Sequence, residues 1–142
     1  MEFTKIGKAY EFAKEKHKDQ KDDEGKSYFD SHVLRVGNAV SELTNDDDLI
    51  VSAYLHDTLE DTDTTYEELE KEFGKKIADL VNELTHEGKK DENGFYFPRL
   101  KSKEAIMIKL IDRASNVSRM NSWDKERQAQ YLKKTKFWRS EV

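Results

Sequence analysis

The stretch Leu49-Ile50-Val51-Ser52-Ala53-Tyr54-Leu55-His56-Asp57-Thr58-Leu59-Glu60-Asp61-Thr62 joins an apolar run directly to a cluster of ionisable side chains. The apolar run, from Leu49 to Leu55, is among the most hydrophobic segments of the chain and predicts a buried helix. The positions from His56 to Asp61 then hold one histidine and three carboxylates. Acidic groups at the end of a buried helix repel one another and lose hydration, so the stretch indicates a bound cation.

The composition favours a small, very polar protein. The chain has 142 residues, of which 35% are hydrophobic and 39% are charged, and we expect a single domain over residues 1–142. No apolar run approaches the roughly 20 residues that span a bilayer, and the N-terminus has charges where a signal peptide is apolar. There are no cysteines, which excludes disulfides and thiolate zinc sites. A cytoplasmic location without membrane association is the simplest interpretation.

The net charge of −5 argues against general nucleic-acid binding, because such binding depends on neutralising many phosphates. It permits a small anionic substrate that is held by a local basic patch or by a metal ion. The oligomeric state is left open by the sequence, and a homodimer is one of the alternatives.

Helix breakers are scarce, since the chain has one proline and six glycines, and this predicts an all-α fold. Asp46 and its neighbours are expected to cap the central helix, Thr64 or Thr65 to cap the next one, and Gly74 to interrupt it. Polar loops at 18–26 and 87–98 are candidate walls of a site. Apolar periodicity predicts about six to eight helices, over residues 3–18, 28–43, 46–56, 65–73, 75–86, 99–120 and 123–138.

The histidine–carboxylate cluster needs partners from elsewhere in the chain. On a continuous helix, positions four apart share a face, which places His56 beneath Glu60 and Asp57 beneath Asp61. His56 and Asp57 alone do not complete a metal site, so the remaining ligands have to come from other helices. His32 and Asp112 are the candidates, because each is embedded in apolar sequence.

Two imidazoles and two carboxylates suit Mn²⁺, Fe²⁺, Zn²⁺ or Mg²⁺ rather than a soft metal. Four protein ligands leave positions for water, which loses a proton more easily on such an ion. Glu60 and Asp61 are placed to orient or deprotonate that water. Each of these residues also has a purely structural interpretation. His56 and Asp57 could form a helix-end salt bridge, His32 could be a buried hydrogen-bonded histidine, and Asp112 could pair with Lys109 or Arg113. Glu60 and Asp61 could be solvated charges. We expect surface or structural roles for His17 and His86, and packing roles for the aromatic residues at 95–97, Trp123 and Trp138.

The motifs taken in order resemble the HD superfamily of metal-dependent phosphohydrolases. Within it they resemble the RelA/SpoT-type alarmone hydrolases in their small stand-alone form, over about residues 5–120. The resemblance rests on the 53–62 segment, on His17 to Gln20 with Tyr28 to His32, and on Ile108 to Arg113 with Asn116. It implies an HD-domain helical bundle in which Mn²⁺, or another divalent ion, is bound by His32, His56, Asp57 and Asp112, and Glu60 and Asp61 serve the attacking water.

The reaction that the resemblance implies is hydrolysis of the 3′-pyrophosphate of the nucleotides ppGpp and pppGpp, which yields GDP or GTP and pyrophosphate. Asn116 falls at a nucleotide-contact position of the family. The other candidate substrate contacts in this chain are Lys21, Lys26, Tyr28, Lys109 and Arg119.

The chain departs from the family pattern where the base is recognised. Asp22 and Asp23 replace a usual Arg-Lys pair, Val33 replaces a proline, and Ser118-Arg119 replaces an arginine–threonine pair. Two alternatives therefore stay open: a related hydrolase for another nucleotide such as ppApp or NADPH, and a non-catalytic nucleotide-binding module that keeps a metal for stability. Glu60 and Asp61 argue against the second alternative, because a purely structural site needs no groups to activate water.

Overall fold

The computed structural model describes residues 4–85, 100–120 and 123–133, and their fold is all-α, as predicted. No strand occurs in these ranges; an isolated antiparallel bridge joins Lys21 to Ser27. The helices, in chain order, are α1 (Lys5–Lys16), α2 (Leu34–Leu43), α3 (Asp47–Leu55), α4 (Thr58–Asp61), α5 (Tyr66–Phe73), α6 (Lys75–Glu83), α7 (Lys103–Arg119) and α8 (Lys125–Lys133), with a π-helical segment at Phe29–Val33 directly before α2.

The predicted helix boundaries are confirmed at three positions. The carboxylate of Asp46 accepts hydrogen bonds from the backbone N–H groups of Asp48 and Leu49, so it caps α3. The hydroxyl of Thr65 caps α5 in the same way. Gly74 separates α5 from α6 with a φ of 96°, a left-handed value that favours glycine.

Helix α3 lies at the centre of the core, where every residue from Leu49 to Leu55 is buried. It packs against α1, α2 and α6, while α7 covers α2 and α6. The contact with α2 is very close at Gly37, since a Cβ added there would lie 2.2 Å from the ring of Tyr54. The apolar run of the sequence is therefore the element around which the other helices assemble.

Two predicted helices are wrong in detail, and both differences fall beside the ionisable cluster. The segment from Tyr28 to Leu43 begins as a π-helix at Phe29–Val33 and only then becomes α-helical. The central helix ends at Leu55 rather than at His56, and a new short helix begins at Thr58. His56 and Asp57 thus lie in a break between α3 and α4, not on one continuous helix.

Several predictions fall partly or wholly outside the described residues: His86, the 87–98 loop with its aromatic residues at 95–97, the start of the 99–120 helix, and Trp138. Within the described part, α7 begins at Lys103, after Ser102 has capped it by accepting a hydrogen bond from the N–H of Ala105. In the same part of the chain, no helix is both long and apolar enough to cross a membrane.

Candidate metal centre

Four side chains predicted as metal ligands converge in the structure. His32, His56, Asp57 and Asp112 are all buried, and one ligand atom from each lies within 4.8 Å of the others. The Nε2 atom of His32 is 2.8 Å from Asp112 Oδ1, and that of His56 is 3.1 Å from Asp57 Oδ2. Ligands on one ion with bonds of about 2.1 Å are about 3.0 Å apart when adjacent and about 4.2 Å apart when opposite, so this spacing fits a single cation.

The orientation of the two imidazoles supports this interpretation. His56 Nδ1 donates to the carbonyl oxygen of Ala53 at 2.7 Å, and His32 Nδ1 lies 2.9 Å from the hydroxyl of Ser115. Both Nε2 atoms are buried and have no hydrogen-bond partner among the described residues, although carboxylate oxygens lie close to them. The Nε2 atoms therefore point at the space shared with the carboxylates, which is how a metal-binding histidine is held.

The carboxylates are oriented by neighbours as well. The hydroxyl of Tyr28 donates to Asp57 Oδ2 at 2.7 Å. Lys109 Nζ lies 3.0 Å from Asp112 Oδ2, which leaves Oδ1 on the side of His32. The ion pair between Lys109 and Asp112 that the sequence suggested is confirmed, and it accompanies the cluster instead of replacing it.

The electrostatics of the cluster favour positive charge between its members. Burial lowers the pKa of His32 and His56, but the carboxylates of Asp57 and Asp112 outweigh burial and raise both pKa values above the usual range. Burial raises the pKa of Asp112, yet Lys109 and the two imidazoles bring it well below its ordinary value. Either protons or a cation satisfy these carboxylates, because the interior offers little water.

Irregular backbone positions three of the four candidate ligands. His32 lies on the π-helical turn, whose wider winding changes the direction of the side chain relative to a regular helix. His56 caps the end of α3, while Asp57 lies in the break before α4. Asp112 projects from the middle of α7. The break changes the relative directions of His56 and Asp57, which would point about 100° apart on an uninterrupted helix.

Glu60 and Asp61 lie on α4 and are exposed residues. The backbone N–H of Asp61 donates to the carbonyl of Asp57 at 2.9 Å, so the predicted one-turn separation survives the break. Dehydration of the Asp61 carboxyl group and the charge of Asp57 raise its pKa to about 6. The Asp61 carboxyl group is therefore partly shielded from water and close enough to Asp57 to sense its charge, although the residue as a whole is exposed.

His17 corrects part of the sequence interpretation, since it is fully buried and not a surface residue. Its Nδ1 lies 2.7 Å from Gln20 Oε1, and the amide of Gln20 reaches Asp61 Oδ2 at 3.5 Å. Burial lowers the pKa of His17. His17 is thus a buried residue that connects the end of α1, through Gln20, to Asp61 beside the cluster.

The predicted substrate contacts lie at different distances from the cluster. Three of them border the cluster. Tyr28 contacts Asp57, Lys109 contacts Asp112, and the amide of Asn116 is 3.5 Å from Asp112 Oδ1. Lys21 is exposed, and Lys26 pairs with Glu24 at 3.3 Å on the outer surface of the 22–26 turn. Arg119 lies over the ring of Tyr28, 5.9 Å from its centroid.

The two acids that replace the basic pair of the family both face arginines. Asp22 Oδ2 is 3.8 Å from Arg119 Nη1, and Asp23 Oδ2 is 2.7 Å from Arg127 Nη1. The pair of Asp22 joins the 18–26 loop to the end of α7, and the pair of Asp23 joins it to α8. The negative charges of Asp22 and Asp23 are therefore compensated by arginines, which weakens their repulsion of a polyphosphate.

The sequence interpretation missed Ser115, which holds His32, and it missed the link from Gln20 to Asp61. No local signal identified Ser115, because its contact with His32 depends on how the π-helical segment and α7 pack together. Tyr28 stays a predicted substrate contact, and the structure adds that its hydroxyl donates to the candidate ligand Asp57.

Comparison with known proteins places these features in a family. A family model described as an HD domain matches residues 9–93. The guanosine-3′,5′-bis(diphosphate) 3′-pyrophosphohydrolase of Aquifex aeolicus (strain VF5) is 41% identical over 138 residues, which cover 92% of this chain and 20% of that protein. This chain therefore spans about a fifth of the length of that relative.

Shorter relatives are similar over most of their length. The guanosine-3′,5′-bis(diphosphate) 3′-pyrophosphohydrolase MESH1 of Danio rerio is 35% identical over 146 residues, covering 92% of this chain and 78% of MESH1. A solved structure of a metazoan ortholog of SpoT, described as hydrolysing ppGpp, superposes with a TM-score of 0.75 at 27% identity. That match covers 92% of this chain and 81% of the other.

Proposed function

This chain belongs to the HD-domain family, and we propose on that premise that it is a Mn²⁺-dependent hydrolase that removes the 3′-pyrophosphate of ppGpp and pppGpp. The observation that carries the proposal is the convergence of two imidazole nitrogens and two carboxylates in one buried cluster. Relatives named as 3′-pyrophosphohydrolases supply the substrate class. The products are GDP or GTP and pyrophosphate.

The donor set fits a divalent ion of intermediate hardness, since it combines nitrogen and oxygen ligands without sulfur. His32, His56, Asp57 and Asp112 would hold the ion. Once bound, the ion would supply Lewis acidity that activates water and stabilises charge on the phosphoryl oxygens. The carbonyl oxygen of Ala53 can only accept, so it holds His56 in the tautomer whose Nε2 is free to bind metal, and Ser115 orients the ring of His32 through its Nδ1.

We assign the proton transfers to Glu60 and Asp61. An acceptor for the proton of the attacking water has to lie at the mouth of the cluster and titrate near the working pH. Asp61 meets both conditions, because its carboxyl group faces Asp57 and its pKa is raised to about 6. Glu60, the adjacent exposed residue on α4, is the second member of the pair.

The remaining polar groups around the cluster would bind the substrate. Lys109 is only partly exposed and carries a positive charge next to Asp112, where it would meet the phosphates. Asn116, one turn after Asp112 on α7, would contact the ribose or the phosphates. Lys21 and Lys26 would add positive charge on the loop side of the opening.

The test is hydrolysis by the purified protein loaded with Mn²⁺, with ppGpp, pppGpp, ppApp and NADPH as substrates. We expect release of pyrophosphate from ppGpp and pppGpp at the highest kcat/KM, and loss of activity in a chelator. A strong preference for ppApp or NADPH would replace the guanine assignment with one of the two alternatives. Hydrolysis of none of the four nucleotides would favour the non-catalytic module.

Two variants separate catalysis from metal binding. Glu60→Gln and Asp61→Asn are expected to keep the bound metal and lower kcat by roughly 100-fold or more. Metal content is measured on the same preparations. Full activity in both variants would remove Glu60 and Asp61 from the mechanism while leaving the metal centre in place.

A further inference from the structure

Arg119 is held in place by residues of two different elements. Its Nη2 donates to Asn116 Oδ1 at 2.7 Å, and its Nη1 lies 3.8 Å from Asp22 Oδ2. Its guanidinium lies over the ring of Tyr28, whose hydroxyl is bonded to Asp57. Arg119 is thus separated from a metal ligand by one aromatic side chain.

Asp22 is built to hold this arrangement. Its Oδ1 accepts hydrogen bonds from the backbone N–H groups of Glu24 and Lys26, both at 2.9 Å, which fixes the turn. Its Oδ2 is left facing Arg119, and the Asp22 side chain is only 5% exposed. A buried carboxylate in a rigid turn restricts the guanidinium much more than a flexible surface acid would.

The way Arg119 is bound determines what it can recognise. Two edges of the guanidinium face Asn116 and Asp22, and the charge of Asp22 compensates its own. Both features weaken its attraction for a phosphate. One face of the guanidinium lies over the ring of Tyr28, and the opposite face keeps its ability to stack on a planar π-system.

There is space for a planar group next to Arg119. The residue lines a cleft of about 200 Å³ together with Ser31, Arg35 and Ser118, between the 22–26 turn, the start of α2 and the end of α7. The Arg119 side chain is 15% exposed, so part of it is accessible from this side. Arg119 connects this cleft to the cluster, because its guanidinium lies over Tyr28 and the hydroxyl of Tyr28 donates to Asp57. A nucleotide with its phosphates at the cluster would therefore place its base on this side.

We propose that Arg119 stacks on the nucleobase of the substrate and that Asp22 is the positioning residue that holds its guanidinium in place. This inference rests on the proposed function, because it assumes that the substrate is a nucleotide. It gives Asp22 and Arg119 one joint role, in which the acid and the arginine are needed together.

The test compares two probes that differ only in the base, GDP and ribose 5-diphosphate, in equilibrium binding to the Mn²⁺-loaded protein. We expect the wild type to bind GDP about tenfold more tightly or better, which is the usual contribution of one stacked base. Arg119→Lys keeps the positive charge but replaces the planar guanidinium with an ammonium group. It should therefore remove most of the preference for GDP and leave the affinity for ribose 5-diphosphate unchanged.

Three results would overturn the proposal: a wild type without preference for GDP, an Arg119→Lys variant that keeps the preference, and a variant that weakens both probes equally, as expected for a phosphate contact. Because binding is measured without turnover, a wild type that does not hydrolyse ppGpp would refute the proposed function and still leave this test decisive for Arg119.

Asp22→Asn tests the positioning role through steady-state kinetics with ppGpp. The amide oxygen can still accept the two bonds of the turn, but the countercharge of Arg119 is lost, so KM should rise severalfold with kcat unchanged. A lower KM would show that Asp22 competes with the substrate instead of positioning Arg119. Asp23→Asn is the matched control in the same loop, since it removes the exposed pair with Arg127, and we expect its KM within twofold of the wild type.

Discussion

At the residue scale, the hydroxyl of Tyr28 supports a member of the candidate metal centre. It donates to the candidate ligand Asp57 at 2.7 Å, and the ring contacts both His17 and His32. Burial and the nearby carboxylates raise the pKa of Tyr28, so the phenol remains a proton donor throughout the working pH range. A donor that fixes a ligand in this way usually increases metal affinity.

We therefore predict that Tyr28→Phe lowers Mn²⁺ affinity by roughly tenfold, as is usual for partners that hold a ligand. The measurement is a competition titration with a chelator of known affinity. Tyr54→Phe is the matched control, because it also removes a partly buried hydroxyl, which donates to Asn38 Oδ1 at 2.6 Å away from the cluster. Equal affinities of the two variants would show that the hydroxyl of Tyr28 does not support the site.

At the same scale, the identity of the four ligand candidates was predictable, and the residues that orient them were not. His32, His56, Asp57 and Asp112 carry a chemical signal that spacing and resemblance reveal. Ser115 and Asp22 act through contacts with His32 and Arg119, over 83 and 97 positions of sequence, respectively. Such partners are decided by how helices pack, and nothing in the local sequence specifies them.

At the scale of elements, the packing of α2 on α3 depends on the absence of a side chain at Gly37. A Cβ at this position would lie 2.2 Å from the buried ring of Tyr54. The ring cannot withdraw easily, because it also packs against Tyr10 and donates its hydrogen bond to Asn38. A larger residue would have to push the two helices apart.

We predict that Gly37→Ala lowers the free energy of unfolding by about 1–3 kcal/mol, even though alanine is the better helix former. Urea denaturation measures this loss. Combining Gly37→Ala with Tyr54→Leu should recover part of it, because the clash is with the ring. Additive losses in the double variant would mean that Tyr54 is not the source of the penalty.

A second element-scale feature is the carboxylate of Asp48, which joins three helices. It lies 2.9 Å from Lys5 of α1 and 3.2 Å from Lys76 of α6, and it belongs to the first turn of α3. The hydrogen bond from Lys5, together with Lys76, holds the pKa of Asp48 below its usual value. A lowered pKa in the folded state means that the stabilisation is complete above the unfolded pKa and is lost as the pH falls.

Asp48→Asn should accordingly destabilise the protein by about 0.5–1 kcal/mol at pH 7. The difference should shrink below about pH 4, as the wild-type carboxylate takes up its proton. Urea titrations from pH 7 downward measure both quantities. Asp47→Asn is the control, since it removes an exposed charge from the same helical turn; an equal effect there would assign the loss to the helix dipole instead of the two lysines.

The helices themselves were largely predictable, because apolar periodicity and capping residues are local signals. The caps at Asp46 and Thr65 and the interruption at Gly74 were all predicted. The π-helical turn at Phe29–Val33 and the break after Leu55 were not, since each trades regular hydrogen bonds for the placement of a buried ligand. These irregular positions mark where the site overrides local preference.

At the scale of the whole molecule, the cluster joins elements that are distant in sequence. His32 comes from the π-helical turn, His56 and Asp57 from the junction of α3 and α4, and Asp112 from α7. An unfolded chain does not hold these groups together. A cation bound by all four therefore binds the folded state almost exclusively, and its binding free energy adds to the free energy of unfolding.

We predict that the melting temperature rises with the concentration of free Mn²⁺. At 100 times the dissociation constant the gain is about 2.7 kcal/mol, which corresponds to a shift of roughly 8–10 °C for a chain of this size. Differential scanning calorimetry across a Mn²⁺ series measures the shift, and excess chelator should reverse it. Asp57→Asn removes one ligand with little change of shape, so its melting temperature should be nearly independent of Mn²⁺. An equal rise in the wild type and in Asp57→Asn would place the bound ion elsewhere and refute the assignment of the cluster as the metal centre.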